Sequence, residues 1–252
     1  MARREAPPDA FGRSAREYEQ GRPEWPEELL ERVVSELGLG IQDEVLDLGA
    51  GTGKLTRSLV PRFARVVAVE PDDAMRDVLE EIVPAAEALP GKAEAIPLAD
   101  SSVDAVLSAE AFHWFATDVA VAEIVRVLRP RGTFGIFWNY PLKDDDMGEE
   151  AERVIKAAIE RGGEPGLARV LSNEWRRPLG AAPFEPLREA EIERDFVSSR
   201  DEWIANMLSV SSIAHQPDEV RATFAEQLRE LIPVDRRVHR RFRTVAYWTR
   251  LA

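Results

Sequence analysis

Two carboxylates, three alternating glycines and one histidine have the types and spacing to do chemistry in this chain. Asp47 lies near the end of the apolar run Val45-Leu46-Asp47-Leu48, and Gly49-Ala50-Gly51-Thr52-Gly53 follows directly. Glycine reaches positive φ and lets a ligand come close to the backbone. Glu70 closes a second apolar run, Val66-Val67-Ala68-Val69. It stands about 20 residues past the first glycine, the spacing at which a carboxylate meets ribose hydroxyls. An acid at position 47 is costly to bury unless something polar engages it, and it suits a ligand with a cationic group. His113, in Phe112-His113-Trp114-Phe115, is the best placed general base for an acceptor that must lose a proton. Two alternatives stand beside that role: a structural histidine bonded to a loop carbonyl, or a carboxylate acceptor that needs no base.

Strands and helices must alternate to position these residues. Residues 45–48 suit a strand buried on both faces. A helix over 54–63 would then present unpaired N–H groups and a positive dipole end beside the glycines. Residues 66–70 read as a second strand, 71–83 as a helix, 85–91 as a weak edge strand and 104–108 as a fourth strand. Thr117 is a good N-cap for a helix over 118–129, and 133–138 form a fifth strand. Upstream, 26–37 is amphipathic with Leu29, Leu30, Val33, Val34 and Leu37 on one stripe, and 11–20 is a helix broken by Gly21-Arg22-Pro23. Such alternation predicts right-handed crossovers and a mainly parallel sheet.

After Pro141 the pattern changes. Asp144-Asp145-Asp146 opens a charged helix to about residue 162, and 163–186 is irregular. A strand over 191–197, helices over 200–210 and 217–231 and a final strand over 240–251 complete the chain. We expect one domain over 1–252, with 141–186 as a cap or substrate-binding insertion that carries Trp175.

Asp47-Leu48-Gly49-Ala50-Gly51-Thr52-Gly53, then Val69-Glu70-Pro71, then Ala93-Glu94-Ala95-Ile96-Pro97, resemble the successive cofactor motifs of the class I S-adenosylmethionine-dependent methyltransferases. The likeness is nearest to the small-molecule branch with trans-aconitate-type and ubiquinone-biosynthesis-type enzymes, and it covers residues 11–140 best. It implies an α/β fold, Rossmann-like and doubly wound, with a seven-stranded mostly parallel sheet and a helical cap insertion after the fifth strand. It also implies S-adenosyl-L-methionine as cofactor and S-adenosyl-L-homocysteine as product. The implied cofactor residues are Tyr18, Arg22, Asp47, Gly49, Gly51, Gly53, Glu70, Pro71, Met75, Ala93, Glu94 and Ser108. Tyr18 and Arg22, with Phe11, match the family's lead-in segment over the methionine end, where an arginine fork suits a carboxylate. Met75 matches a residue stacked on adenine. Lys92 departs from the family, which often carries an acid there, and leaves adenine to the backbone of Ala93 and to Glu94.

His113 is the catalytic candidate, and Trp114, Phe115, Trp138, Asn139, Tyr140 and Trp175 are the candidates for the acceptor side. The acceptor itself, an O, N or carboxylate group of a small molecule, stays open, as does the oligomeric state. A catalyst of the same fold that uses the sulfonium as a fixed charge, such as a cyclase, or a binding module, is the alternative. Asp47 and the glycine spacing disfavour a nicotinamide enzyme. Asn139-Tyr140-Pro141 lacks the double proline of amine-methylating DNA enzymes.

Composition narrows the rest. The 252 residues carry a net charge of −13 and no cysteine. That excludes disulfides, thiolate metal sites and a cysteine nucleophile, and it disfavours a nucleic-acid partner. Arg236-Arg237 and Arg240-Arg241 read as a solvated strand edge, Asp144 to Asp146 as an acidic helix start rather than a metal site, and His215 and His239 are assigned no role. No apolar run reaches the length of a membrane span and the N-terminus is no secretory signal, so we expect a cytoplasmic protein with no membrane partner.

Overall fold

A computed structural model describes residues 12–145, 147–163 and 166–252. The start expected to fray over 1–10, Phe11 and Asp146 lie outside the described residues. The strands are β1 Glu44–Leu48, β2 Arg65–Val69, β3 Glu87–Leu89, β4 Val103–Ala109, β5 Leu128–Asp144, β6 Arg188–Ser199 and β7 Arg237–Arg250. They form one seven-stranded sheet in the order β3-β2-β1-β4-β5-β7-β6. β1 pairs in parallel with β2 and β4, β2 with β3, and β4 with β5. β7 runs antiparallel to β5, since the Leu251 amide bonds the Gly132 carbonyl while the Asp145 amide bonds that of His239. The fold is the α/β, Rossmann-like arrangement that the sequence led us to expect.

The helices are α1 Ala15–Gly21, α2 Glu27–Leu37, α3 Thr56–Leu59, α4 Asp73–Ile82, α5 Phe112–Phe115, α6 Asp118–Val127, α7 Glu149–Gly162, α8 Gly166–Leu171, α9 Arg176–Gly180, α10 Arg200–Leu208, α11 Ser211–Ala214 and α12 Asp218–Leu231. The chain divides into two compact units. A sheet unit holds 24–139, 169–192 and 244–252, and a helical unit holds the described residues of 1–23, 140–168 and 193–243. Residues 141–168 of the expected insertion thus belong to the helical unit and 169–186 to the sheet unit.

In the sheet unit, the stripe Leu29, Leu30, Val33 and Leu37 of α2 is buried in one cluster with Val45, Leu59, Leu107, Phe137 and Trp248. Each such side chain contributes about 1.5–3 kcal/mol by leaving water. This fixes the strands, and with them the carboxyl edge where loops can carry a site. The helical unit has its own core, in which Ala151 and Ala158 of α7 meet Trp203, Ile204 and Met207 of α10 and Phe224 and Leu228 of α12.

Four stretches depart most from expectation, while the other boundaries move by a few residues. α3 is a single turn, Thr56–Leu59, instead of a helix over 54–63; Pro61 has no amide to donate and disfavours helix in the residue before it. β5 begins at Leu128, where the helix was expected to continue to 129, because Leu128 already pairs with Val103. α7 begins at Glu149 and not at the aspartates. Asp145 instead extends the strand pairing, its carboxylate accepting the His239 amide at 2.9 Å. The stretch expected to be irregular contains α8 and α9.

Candidate cofactor and acceptor site

The loop after β1 is held from inside. The amides of Gly49 and Ala50 both donate to the Val69 carbonyl, at 2.9 and 3.2 Å, and that of Gly53 donates to Ala50 at 3.0 Å. Gly51 donates its amide to Glu70 Oε2 at 2.8 Å. The amides of Gly49, Ala50, Gly51 and Gly53 therefore point at β2, at the acid that follows it and at one another, and the helix beyond them is a single turn rather than the long one expected. A phosphate would find few donors here and a carboxylate already in place. Gly49 sits at φ 74°, with Ala111 Cβ only 2.7 Å and the Phe115 ring 3.3 Å from where a Cβ would stand. Gly51 sits at φ 58° and opens onto empty space.

The two acids are set in apolar surroundings. Asp47 is 1% exposed, and its Oδ2 accepts the Thr56 hydroxyl at 2.6 Å. Its Oδ1 has no hydrogen-bond partner among the described residues. Burial pushes its pKa up to about 7, against the lowering effect of the Thr56 bonds. Glu70 is 7% exposed and accepts the Asp72 amide on Oε1 at 2.9 Å. Burial pushes it up to about 7 as well, although the Asp72 and Gly51 amides favour the charged form. Each Glu70 oxygen takes one backbone bond, and a carboxylate offers about four lone-pair positions. Capacity remains for hydroxyl donors. A buried acid with an orphan oxygen, a second acid with spare acceptors and an open glycine fit a nucleoside that carries a cation.

The neighbouring elements place the other cofactor candidates. Pro71 is exposed, while Met75 is 3% exposed on α4, which Asp72 caps by accepting the Met75 amide at 3.0 Å. Ala93 is buried and Glu94 exposed in a turn closed by a Lys92–Ala95 bridge. Ser108, near the end of β4, is buried with no hydrogen-bond partner for Oγ among the described residues.

The acceptor candidates centre on α5. Phe112 points inward, edge-on to Phe134 and Phe115 at 5.2 and 5.5 Å. That leaves His113, Trp114 and Phe115 half-buried, with Phe115 leaning over Gly49. The indole N–H of Trp138 donates to His113 Nδ1 at 3.1 Å. Trp138 and Trp175 are buried and meet at 4.7 Å between ring centroids, and Tyr247 lies 5.2 Å from Trp175. Asn139 accepts the Thr244 hydroxyl on Oδ1 at 2.6 Å, and its amide donates to Glu110 at 2.8 Å. Tyr18, Arg22 and Tyr140 belong to the helical unit. There Arg22 donates to the Ser209 hydroxyl at 2.9 Å and stacks on Tyr18, while Arg243 lies 5.6 Å from the Tyr140 ring.

Several residues of the site were missed in the sequence. Thr56, nine residues after Asp47, is the polar group that engages that acid. Glu110 follows β4 with φ 55°, a sparsely populated conformation that recurs at functional sites, and a lone acid after a strand at the carboxyl edge is a signal that could have found it. Arg169 stacks on Trp114 at 4.7 Å, and Arg176 lies 4.6 Å from Trp175 and 4.7 Å from Tyr247; nothing local in the sequence marks these pairs. Among the described residues no group of three or more His, Asp or Glu could hold a metal ion, and no helix is long and apolar enough to cross a membrane.

Comparison with known proteins follows the same lines. Residues 46–136 match the family described as a methyltransferase domain. An uncharacterized methyltransferase of Mycobacterium tuberculosis is 38% identical over 223 residues, 88% of this chain and 85% of the relative. One from Schizosaccharomyces pombe is 39% identical over 220 residues, 86% and 84% of the two chains. Among solved structures, a type II methyltransferase from Anaeromyxobacter dehalogenans aligns with TM-score 0.62 and 25% identity, over 91% of this chain and 98% of that one. The cyclase SpnF aligns with TM-score 0.54 at 18% identity over 91% and 83%, which shows the fold alone.

Proposed function

The chain belongs to the S-adenosylmethionine-dependent methyltransferase family, and from that premise we propose that it methylates a small molecule at an oxygen, nitrogen or carboxylate group. Its cofactor is S-adenosyl-L-methionine and its product S-adenosyl-L-homocysteine. When bound, the cofactor supplies an activated methyl group on a sulfonium; the protein supplies orientation and surroundings. Glu70 holds the ribose hydroxyls, Gly51 gives the nucleoside room, and the charge of Asp47 favours the cationic end in a low-dielectric interior. Gly49 and Gly53 shape the loop, and Pro71, Met75, Ala93, Glu94 and Ser108 line the nucleoside side. Tyr18 and Arg22 serve the methionine end. His113, Trp114, Phe115, Trp138, Asn139, Tyr140 and Trp175 serve the acceptor, with Trp175 as the contribution of the 141–186 insertion. A net charge of −13 supports a small-molecule rather than a nucleic-acid substrate, in a cytoplasmic setting.

The observation that carries the reading is the bond from the Gly51 amide to Glu70. A pyrophosphate-binding loop presents that amide to the phosphate; here an acid occupies it. The test is calorimetric titration with S-adenosylmethionine, S-adenosylhomocysteine and NAD, followed by incubation with a panel of small acceptors while S-adenosylhomocysteine is measured. Binding of the first two and turnover with at least one acceptor are expected. Binding of NAD alone overturns the reading.

A further inference from the structure

We propose that Trp138 fixes His113 as a hydrogen-bond donor toward the methyl acceptor, and that the acceptor arrives with its reacting oxygen already an anion. The proposal rests on the methyltransferase reading and narrows its acceptor. An indole Nε1 carries a hydrogen and has no acceptor site. The 3.1 Å bond between Trp138 Nε1 and His113 Nδ1 therefore has one direction, with Nδ1 accepting. In a neutral imidazole the proton then sits on Nε2, because the bond at one ring nitrogen sets the state of the other. The ring that faces the acceptor region does so as an N–H donor.

A general base needs the opposite arrangement, a lone pair on Nε2 and a hydrogen on Nδ1. That tautomer would aim the Nδ1 hydrogen at the Trp138 hydrogen, and so would the charged ring. Nor can the indole turn away easily: Trp138 is 1% exposed and packed 4.7 Å from Trp175, and it lies 5.9 Å from Tyr247. Trp138 is thus a positioning residue, and His113 is the group that touches the acceptor.

Arg176 lies over both Trp175 and Tyr247, with Glu189 4.0 Å from its guanidinium, and Arg169 lies over Trp114, the neighbour of His113. A donor N–H with no lone pair to take a proton suits an oxygen anion better than a neutral alcohol. Transfer then needs no proton movement. An oxygen lone pair of the anion forms the new O–C bond as the C–S bond breaks, and the electron pair of that bond stays on sulfur as the sulfonium becomes a neutral thioether. His113 Nε2–H steadies the acceptor and keeps its proton.

The test uses the full-length protein with 15N-labelled histidine, and His113→Gln assigns the resonance. The expected wild-type spectrum shows His113 protonated on Nε2 and bare on Nδ1, and Trp138→Phe gives a mixture of the two tautomers. With S-adenosylhomocysteine present, benzoate is expected to shift the His113 Nε2–H signal at roughly tenfold lower concentration than benzamide, the gap for one charge-assisted hydrogen bond. A wild-type proton on Nδ1, or benzoate acting no better than benzamide, overturns the proposal. The wild-type spectrum decides alone if Trp138→Phe does not fold. Calorimetry with S-adenosylhomocysteine on the same samples tests the methyltransferase reading separately, since the tautomer is read whether or not that compound binds.

Discussion

Glu70 accepts the amide of Gly51 at 2.8 Å, so a carboxylate at the end of β2 closes the glycine loop that follows β1. The same side chain accepts the Asp72 amide that leads into α4. One residue thus ties together the two βα connections at this edge of the sheet, although burial pushes its pKa up to about 7.

Removing that carboxylate should show in affinity first. Glu70→Ala is expected to weaken S-adenosylhomocysteine binding by about 1.5–3 kcal/mol, roughly 10- to 150-fold, as for a hydrogen bond to a charged group. Glu70→Gln keeps one acceptor oxygen and should lose less. Calorimetry beside thermal melting checks both, and unchanged affinity in a folded Glu70→Ala protein removes the ribose assignment.

Protonation gives stability and binding opposite slopes. Burial raises Asp47 and Glu70 from 3.8 and 4.5 to about 7 in the folded state. Between those limits the folded protein holds more protons than the unfolded chain, so stability falls as pH rises from about 4 to about 7 and levels off above. Glu123 and Glu202 are held below 4.5, by Arg126 and by the Ser199 cap, and act with the opposite sign at lower pH, while His215, held below 6.5 by burial, opposes the fall up to about pH 6.5 as one group against two. The melting temperature of the cofactor-free protein should therefore drop between pH 5 and pH 8, while affinity for S-adenosylmethionine rises as the acids ionise. Asp47→Asn should flatten both slopes. Parallel slopes for stability and affinity would contradict this.

The two glycines of the loop should fail differently. Alanine at 49 meets Ala111 at 2.7 Å from a positive φ, so Gly49→Ala should cost about 1–3 kcal/mol of stability and displace α5. Alanine at 51 meets nothing, so Gly51→Ala should cost only the left-handed strain, about 1–2 kcal/mol, while filling the space a nucleoside needs. Urea unfolding and calorimetry separate the cases: the affinity loss per unit of stability loss should be larger for Gly51→Ala.

Arg126 holds the segment after the Ala93–Glu94 turn. Its guanidinium donates to the carbonyls of Ile96 and Leu98 at 3.0 and 2.8 Å, and to Glu123 and Asp100. Arg126→Ala should cost about 1–3 kcal/mol by leaving those acceptors without their donor. It should also speed hydrogen exchange over residues 96–100. Unchanged exchange there would show that the segment is held by its own turns.

The sheet was legible because its central strands are buried on both faces. Val45, Leu46 and Leu48, like Val66 to Val69, have no polar alternation to confuse them, and their ends fall where the apolar runs end. The edge strand β3 is only three residues long, and the shortness and small residues of 85–91 let it read only as a weak strand with blurred ends. What failed was set by distant partners. The aspartates at 144 and 145 look like a helix start, but β5 runs to Asp144 and the pairing of Asp145 with His239 decides the boundary. α3 stops after one turn because Pro61 follows.

For the site, the loop and its acids were readable because their chemistry is local. The partner of Asp47 was not, since Thr56 looks like an ordinary helix residue until the turn brings it to 2.6 Å. The link between Trp138 and His113 spans 25 residues and two elements. Alternation and spacing carry no record of such a bond.

The most direct test of the whole account is a crystal structure of the protein with S-adenosylhomocysteine. It should place the ribose hydroxyls within hydrogen-bond distance of Glu70, with the sugar against Gly51. The compound bound elsewhere, or Glu70 turned away from its ribose, would contradict it.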